Sequence, residues 1–290
     1  MDARQPVAWK RALTAMWKIL LFVVIWGALL APAPFLMRLD PADGPLDALT
    51  RLGLEALGLA AILAASLMTV RYVDKRSFTS LGFERGAAPR DALVGLGVGS
   101  AMILLALGCA ALPGWVEILP APTFSWSFLG LLAAWMLVNS ATQEILFRGY
   151  PLQTVESGFG TPAALVVSSL IFTGAHAGAI VEGGVLPAIN LFTAGMLLGL
   201  AYTTTRSLWL PIALHFSWNF LQGPVLGIAV SGQALGGDWT LLELTGPTLL
   251  TGGEFGLEGG LFGTLATLFG IGVLVVLGRR RPQGPAPDRR

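Results

Sequence analysis

The chain has 290 residues, of which 54% are hydrophobic and only 12% charged, and its mean hydropathy is +0.71. Ordinary soluble domains carry about 25% charged residues, so this composition excludes a soluble globular fold, whose surface could not hide so much apolar side chain. The net charge of +1 and the lone cysteine, Cys109, give no nucleic-acid signature and no intrachain disulfide.

The apolar residues gather into eight runs, each near the roughly 20 residues that a helix needs to cross a hydrocarbon core. They are Lys18 to Met37, Leu52 to Val70, Ala92 to Leu112, Ser127 to Phe147, Thr161 to Ala179, Val185 to Thr203, Ser207 to Gly223 and Leu261 to Gly278. The expected fold class is therefore all-α, a polytopic transmembrane helical bundle of about eight spans. Residues 1–281 are read as one transmembrane domain and 282–290 as a short disordered basic tail. With an even number of spans and the N-terminus inside, sixteen of the eighteen basic residues fall on the inner side, as Lys and Arg do in cytoplasmic loops. Both termini are thus expected to be cytoplasmic, in a multi-pass protein of a bacterial-type cytoplasmic membrane.

Taken in chain order, the first run ends in Ala31-Pro32-Ala33, which also fits a cleavable signal peptide, although Pro34 is a poor residue to follow a cleavage point. The second run carries Glu55 one turn inside its outer end, where a carboxylate reaches interfacial water. In the third run Gly95, Gly97 and Gly99 follow no strand and so are no dinucleotide fingerprint. Gly95 and Gly99, four apart, instead let helices approach closely in lipid. Cys109 packs in the same run. The long connection from Pro224 to Gly260 is acidic, with Asp238, Glu243, Glu254 and Glu258 and no basic residue.

Ionisable groups within spans are costly and so are functional candidates. Besides Glu55 they are Glu144, Arg148, His176 and His215, accompanied by Asn139, Asn190 and Asn219. Glu144 and Arg148 stand one helical turn apart with the acid first, the order that favours an ion pair; such a pair also has a purely structural reading. Phe172 and His176, and likewise His215 and Asn219, are four apart and share a helix face. Both histidines of the chain, an acid beside an arginine and an asparagine one turn from a histidine supply the parts for hydrolysis within a membrane. A carboxylate can take a proton from water, imidazoles can assist it, and an amide can donate to an oxyanion.

These residues resemble the CPBP intramembrane proteases, which include the eukaryotic enzymes that trim CAAX proteins, bacterial relatives and bacteriocin-immunity-type members. The family pattern Glu-Glu-x-x-x-Arg, Phe-x-x-x-His and His-x-x-x-Asn or Asp is similar to Gln143, Glu144 and Arg148, then Phe172 and His176, then His215 and Asn219. The words Phe147-Arg148-Gly149-Tyr150 and Ser207-Leu208-Trp209-Leu210-Pro211-Ile212 resemble the family as well. The resemblance implies that the first glutamate of the pair activates water with help from the first histidine, while the second histidine and the asparagine stabilise the oxyanion. Here that first position is Gln143, which cannot act as a base. Either Glu144 has taken over, or the protein is a non-catalytic member, or the acid has been replaced; restoring it by Gln143→Glu is expected to raise cleavage.

The expected function is an intramembrane endopeptidase acting on membrane-bound or lipid-anchored proteins or peptides in the lipid bilayer. The alternative is a non-catalytic membrane protein with an immunity, scaffolding or substrate-binding role. A transporter is a weaker third reading, since no broken pair of helices recurs in the two halves. No cofactor is favoured. Zinc held by Glu144, His176 and His215 would fit a two-histidine, one-carboxylate site, but an amide follows His215 one turn on where helical zinc motifs place a second histidine. Glu144, His176, His215 and Asn219 are expected to converge on one polar cavity. Depth poses a difficulty: entering at Thr161, His176 lies about 22 Å along its helix, whereas Glu144 sits near the inner end of its own.

Overall fold

The computed structural model describes residues 8–31, 45–120, 125–234 and 241–280. Within them the chain is almost wholly helical: α1 (Ala8–Leu30), α2 (Pro45–Met68), α3 (Ala88–Ala111), α4 (Trp126–Arg148), α5 (Tyr150–Phe159), α6 (Thr161–Ala175), α7 (Ala177–Gly183), α8 (Val185–Thr205), α9 (Trp209–Phe220), α10 (Thr248–Thr251) and α11 (Leu261–Arg280). A two-stranded antiparallel ribbon, β1 (Val116–Ile118) and β2 (Leu242–Leu244), joins the connection after α3 to the one before α11. Residues 32–37 of the first expected run, which include the proline stretch, and the tail lie outside the described residues.

Among the described residues six helical segments are long and apolar enough to cross a membrane, and the bent pair α6–α7, taken as one span, makes a seventh. Of the eight runs expected, the one from Ser207 to Gly223 differs. It forms α9, only 12 residues long, continued by a π-turn at Leu221–Val225, and most of its side chains are buried. Its polar residues face the bundle, so it sits inside the bundle where the other spans face lipid. The outward residues elsewhere are what lipid requires: Leu13, Met16, Leu20 and Val24 on α1, Leu93 and Leu104 on α3, and Val166, Leu170 and Ile171 on α6 are exposed. In water such surfaces would be an aggregation liability.

Helix α1 is built into this bundle. Phe22 is fully buried and stacks on Tyr150 of α5, ring centroids 5.4 Å apart, and Lys18 pairs with Asp74 at 2.6 Å. Two clusters form the core. One contains Phe22, Ile62, Val70, Leu81, Ile145, Tyr150 and Tyr202; the other, around Val98, Met102, Phe147, Phe172, Leu197, Leu214 and Trp218, encloses the polar site.

Close approach of α3 to α9 places that site. A β-carbon on Gly95 would collide with the Leu210 carbonyl, and one on Gly99 with Ser217 Oγ, so these glycines bring the backbones together as their spacing suggests. Ser125 starts α4 by accepting from Phe128 N at 3.3 Å, the usual N-cap arrangement.

The chain path also resolves the depth difficulty. Beyond Arg148 the helix continues after a break at Gly149 through α5, so the segment Trp126–Phe159 is 34 residues long. At 1.5 Å per residue that is about 51 Å, well beyond the ~30 Å hydrocarbon core. Gly160, at φ 86°, then reverses the chain, and the 15 residues of α6 climb back over about the distance that separates Glu144 from Phe159. His176 arrives level with Glu144.

Candidate active site

Helix α4 contributes Glu144 and Arg148, both fully buried. Arg148 Nη1 donates to Glu144 Oε1 at 3.0 Å, and Nη2 donates to the Gly195 carbonyl of α8 at 3.0 Å. The guanidinium lies 4.7 Å from the Phe172 ring centroid and 5.6 Å from that of Phe147. The i,i+4 pair read from the sequence is therefore a buried ion pair, where desolvation is severe unless both partners are satisfied. Gly195 makes this contact available: a β-carbon there would press on Ser169 of α6.

Helix α9 presents His215 to the same carboxylate, with Nδ1 and Glu144 Oε1 2.8 Å apart. Glu144 Oε1 thus serves both a permanent cation and an imidazole, while Oε2 is buried without a hydrogen-bond partner among the described residues. His176 stands at the break between α6 and α7, where the chain bends by 72°, and its Nδ1 meets the Phe172 carbonyl at 2.8 Å. A carbonyl only accepts, so the His176 proton sits on Nδ1. The carboxylate that pairs with Arg148 assigns the same tautomer to His215, and both rings keep Nε2 as an acceptor.

Phe172 packs between the histidines, its ring 4.7 Å from that of His176 and 6.1 Å from that of His215. His176, His215, Asn219, Phe172, Trp218, Asn190, Ser231 and Glu258 are among the residues around a cavity of about 60 Å³, room for more than one water. Asn219 lies one turn from His215 and makes no side-chain hydrogen bond to other described residues, so its amide is free to donate into that space.

The residues singled out from the sequence fall into three groups. His176, His215 and Asn219 share the cavity. Glu144 and Arg148 lie behind it and reach it through His215. Gln143 is directed elsewhere: its Nε2 donates to Asn139 Oδ1 at 3.0 Å, and Asn139 Nδ2 donates to Glu55 Oε1 at 2.6 Å. Glu55 is accordingly an interhelical acceptor in the α2–α4 contact, half-buried, and the reading of it as a merely solvated end gives way to that role.

Among the described residues no three His, Cys, Asp or Glu side chains come together so as to hold a metal ion. Glu144 Oε1 is already committed to Arg148 and His215, and the His215 nitrogen that faces it carries a proton.

Glu258, from the acidic connection between Pro224 and Gly260, was not legible as a site residue. It belongs to no motif and stands in the glycine-rich stretch Gly252-Gly253-Glu254-Phe255-Gly256-Leu257-Glu258-Gly259-Gly260. Only the folding of that connection onto α8 and α9 brings it to the cavity. Asn190 Nδ2 donates to the Glu258 carbonyl at 2.8 Å and the Gly260 carbonyl at 3.0 Å, which explains an amide buried in α8.

Neither a curated protein nor a solved structure matches the chain. A sequence model of the family described as Rce1-like, type II CAAX prenyl endopeptidase, matches residues 125–221. That segment runs from the N-cap of α4 through α9 and supplies both histidines, the buried ion pair and Asn219, and the match supports the assignment of this chain to the CPBP/CAAX protease family.

Proposed function

We propose that the protein is an intramembrane endopeptidase that cleaves membrane-bound or lipid-anchored proteins or peptides, with prenylated CAAX termini as the substrate class that its family implies. The observation that carries this reading is the contact between Glu144 Oε1 and His215 Nδ1, 2.8 Å, at a cavity that His176 and Asn219 also line. Glu144 has no exposed surface, so it acts through the imidazole and not directly on water. With its Nδ1 proton held by Glu144, His215 takes a proton from water at Nε2. The hydroxide attacks the scissile carbonyl carbon, the Asn219 amide donates to the resulting oxyanion, and the proton passes on to the leaving nitrogen as the C–N bond breaks. His176, facing the same space, is the second imidazole through which that proton can travel. No step requires a metal.

A non-catalytic, substrate-binding role is the second reading, favoured by one observation: the amide at position 143 is engaged with Asn139 and offers no base. Reconstituting the protein in liposomes with internally quenched peptides, one set farnesylated at a CAAX terminus and one set transmembrane, separates the two. Cleavage that disappears in His215→Ala is expected. Saturable peptide binding without any cleavage would replace the protease reading by the second. Both chain ends belong on the cytoplasmic side in this reading, of a bacterial-type membrane; a terminal tag labelled from outside intact cells would reverse that orientation.

A further inference from the structure

The Glu258 carboxylate is held by three neutral donors. Ser231 donates both its backbone N–H and its hydroxyl to Oε1, the latter at 2.6 Å, and Trp218 Nε1 donates to Oε2 at 3.1 Å. Its backbone is pinned by Asn190. Among the described residues no cation pairs with it, in contrast to Glu144, whose charge is offset by Arg148. The anion nevertheless lines the same cavity as His176, and the charged or ionisable groups that act on His176 are Glu258, His215 and Arg148.

We infer that Glu258 is a positioning residue of the active site, the counter-charge that stabilises His176 while that imidazole carries the proton bound for the leaving nitrogen. The inference rests on the protease reading above and extends it to a residue outside the segment that the family model matches. Each histidine then has its own carboxylate. His215 is backed by Glu144, which Arg148 neutralises, and His176 shares its cavity with Glu258, whose donors fix its direction without cancelling its charge. Glu258 Oε1 and Oε2 already accept from three donors, so its part is electrostatic. No atom is transferred to it: the proton moves from His176 Nε2 to the leaving nitrogen.

Because the chain has two histidines, imidazole ¹⁵N spectra of histidine-labelled protein resolve each ring, with His215→Gln for assignment. Glu258→Gln is expected to move the His176 titration midpoint by about one pH unit. Glu258→Asp, which keeps the charge, retains the parent value. Ser231→Ala and Trp218→Phe, which loosen the loop but keep the charge, leave the midpoint nearly unmoved. With a quenched farnesylated CAAX peptide, Glu258→Gln lowers kcat at least about tenfold with KM little changed. An unmoved His176 midpoint in Glu258→Gln, or an equal movement in Ser231→Ala, overturns the inference whether or not cleavage is seen. Cleavage missing from the parent defeats the protease reading instead, and the spectra still decide Glu258.

Discussion

On one side of α4, Glu144 is fully buried, bonded to Arg148 at 3.0 Å and to His215 at 2.8 Å, with a cavity beyond the imidazole. On the other side the adjacent residue, Gln143, joins Asn139 and Glu55 in a chain of amides ending in a carboxylate. Both clusters place a carboxylate and its hydrogen-bonding partners at intramembrane positions, and by the cost of burying such groups both would rank as functional candidates. The difference lies in what surrounds them. The Glu55 chain links its members to each other across two helices, leaving Gln143 Oε1 buried without a partner among the described residues, and such interhelical bonds are how polar residues hold helices together in lipid. The Glu144 cluster binds a fixed cation and hands the other end of the network to an imidazole that borders free volume. Chemistry belongs where a polar network ends in space that a substrate can enter.

Neutralising each carboxylate in turn separates the two clusters most directly. Glu144→Gln is expected to lower the cleavage rate by about 10²- to 10⁴-fold, the usual contribution of acid–base assistance. Glu55→Gln should leave it within about twofold, as a substitution away from the reacting groups does. Rates measured in liposomes at matched protein levels are the check, and equal losses in the two variants would erase the distinction.

Next in size is the ion pair. Arg148→Met strands the Glu144 charge where it is completely buried, and removing one partner of a buried pair costs about 3–5 kcal/mol. A large fall in Tm in detergent is expected. The double variant Glu144→Gln with Arg148→Met should recover much of it, since the stranded charge is then gone. A double variant no more stable than Arg148→Met alone would mean that Arg148 stabilises through Gly195 and Phe172 and not through Glu144.

Smaller again is the packing that delivers His215. Gly99→Val forces a side chain into Ser217 on α9, an overpacking that costs about 1–3 kcal/mol. It also displaces the helix that carries His215 and Asn219, so cleavage should fall further than the loss of folded protein explains. The same substitution at Gly97, which has open space around it, is the control.

The parts of this arrangement that follow a local rule could be read from the sequence. Six long apolar segments, the i,i+4 spacing of Glu144 and Arg148, and the shared faces of His215 with Asn219 and of Phe172 with His176 all depend on residues within two helical turns. Gly95 and Gly99 were legible for the same reason. What could not be read depends on contacts between distant segments. The bend at His176 hides inside an apolar run, and α9 carries a span-like composition although it is buried by protein. Glu258 reaches the cavity across 43 residues from His215 through an irregular, glycine-rich connection that has no periodicity to betray its direction.

The smallest expected effect on rate is also the one that tests position 143. The family resemblance leads to a gain on Gln143→Glu, because it assigns the water-activating carboxylate to that position. The geometry leads to none. Adjacent helical residues point about 100° apart, and with Glu144 committed to His215 the side chain at 143 is turned toward Asn139 and Glu55. A glutamate there loses the donor that Asn139 Oδ1 now accepts from and adds a second carboxylate to a chain already ending in Glu55. The expected outcome is a rate within about twofold of the parent, with stability lowered by about 1–3 kcal/mol for the acceptor left unpaired. A rise of 10²-fold or more in cleavage would mean that α4 turns in the working enzyme to bring position 143 to the histidines. In that case the two faces of the helix would exchange roles.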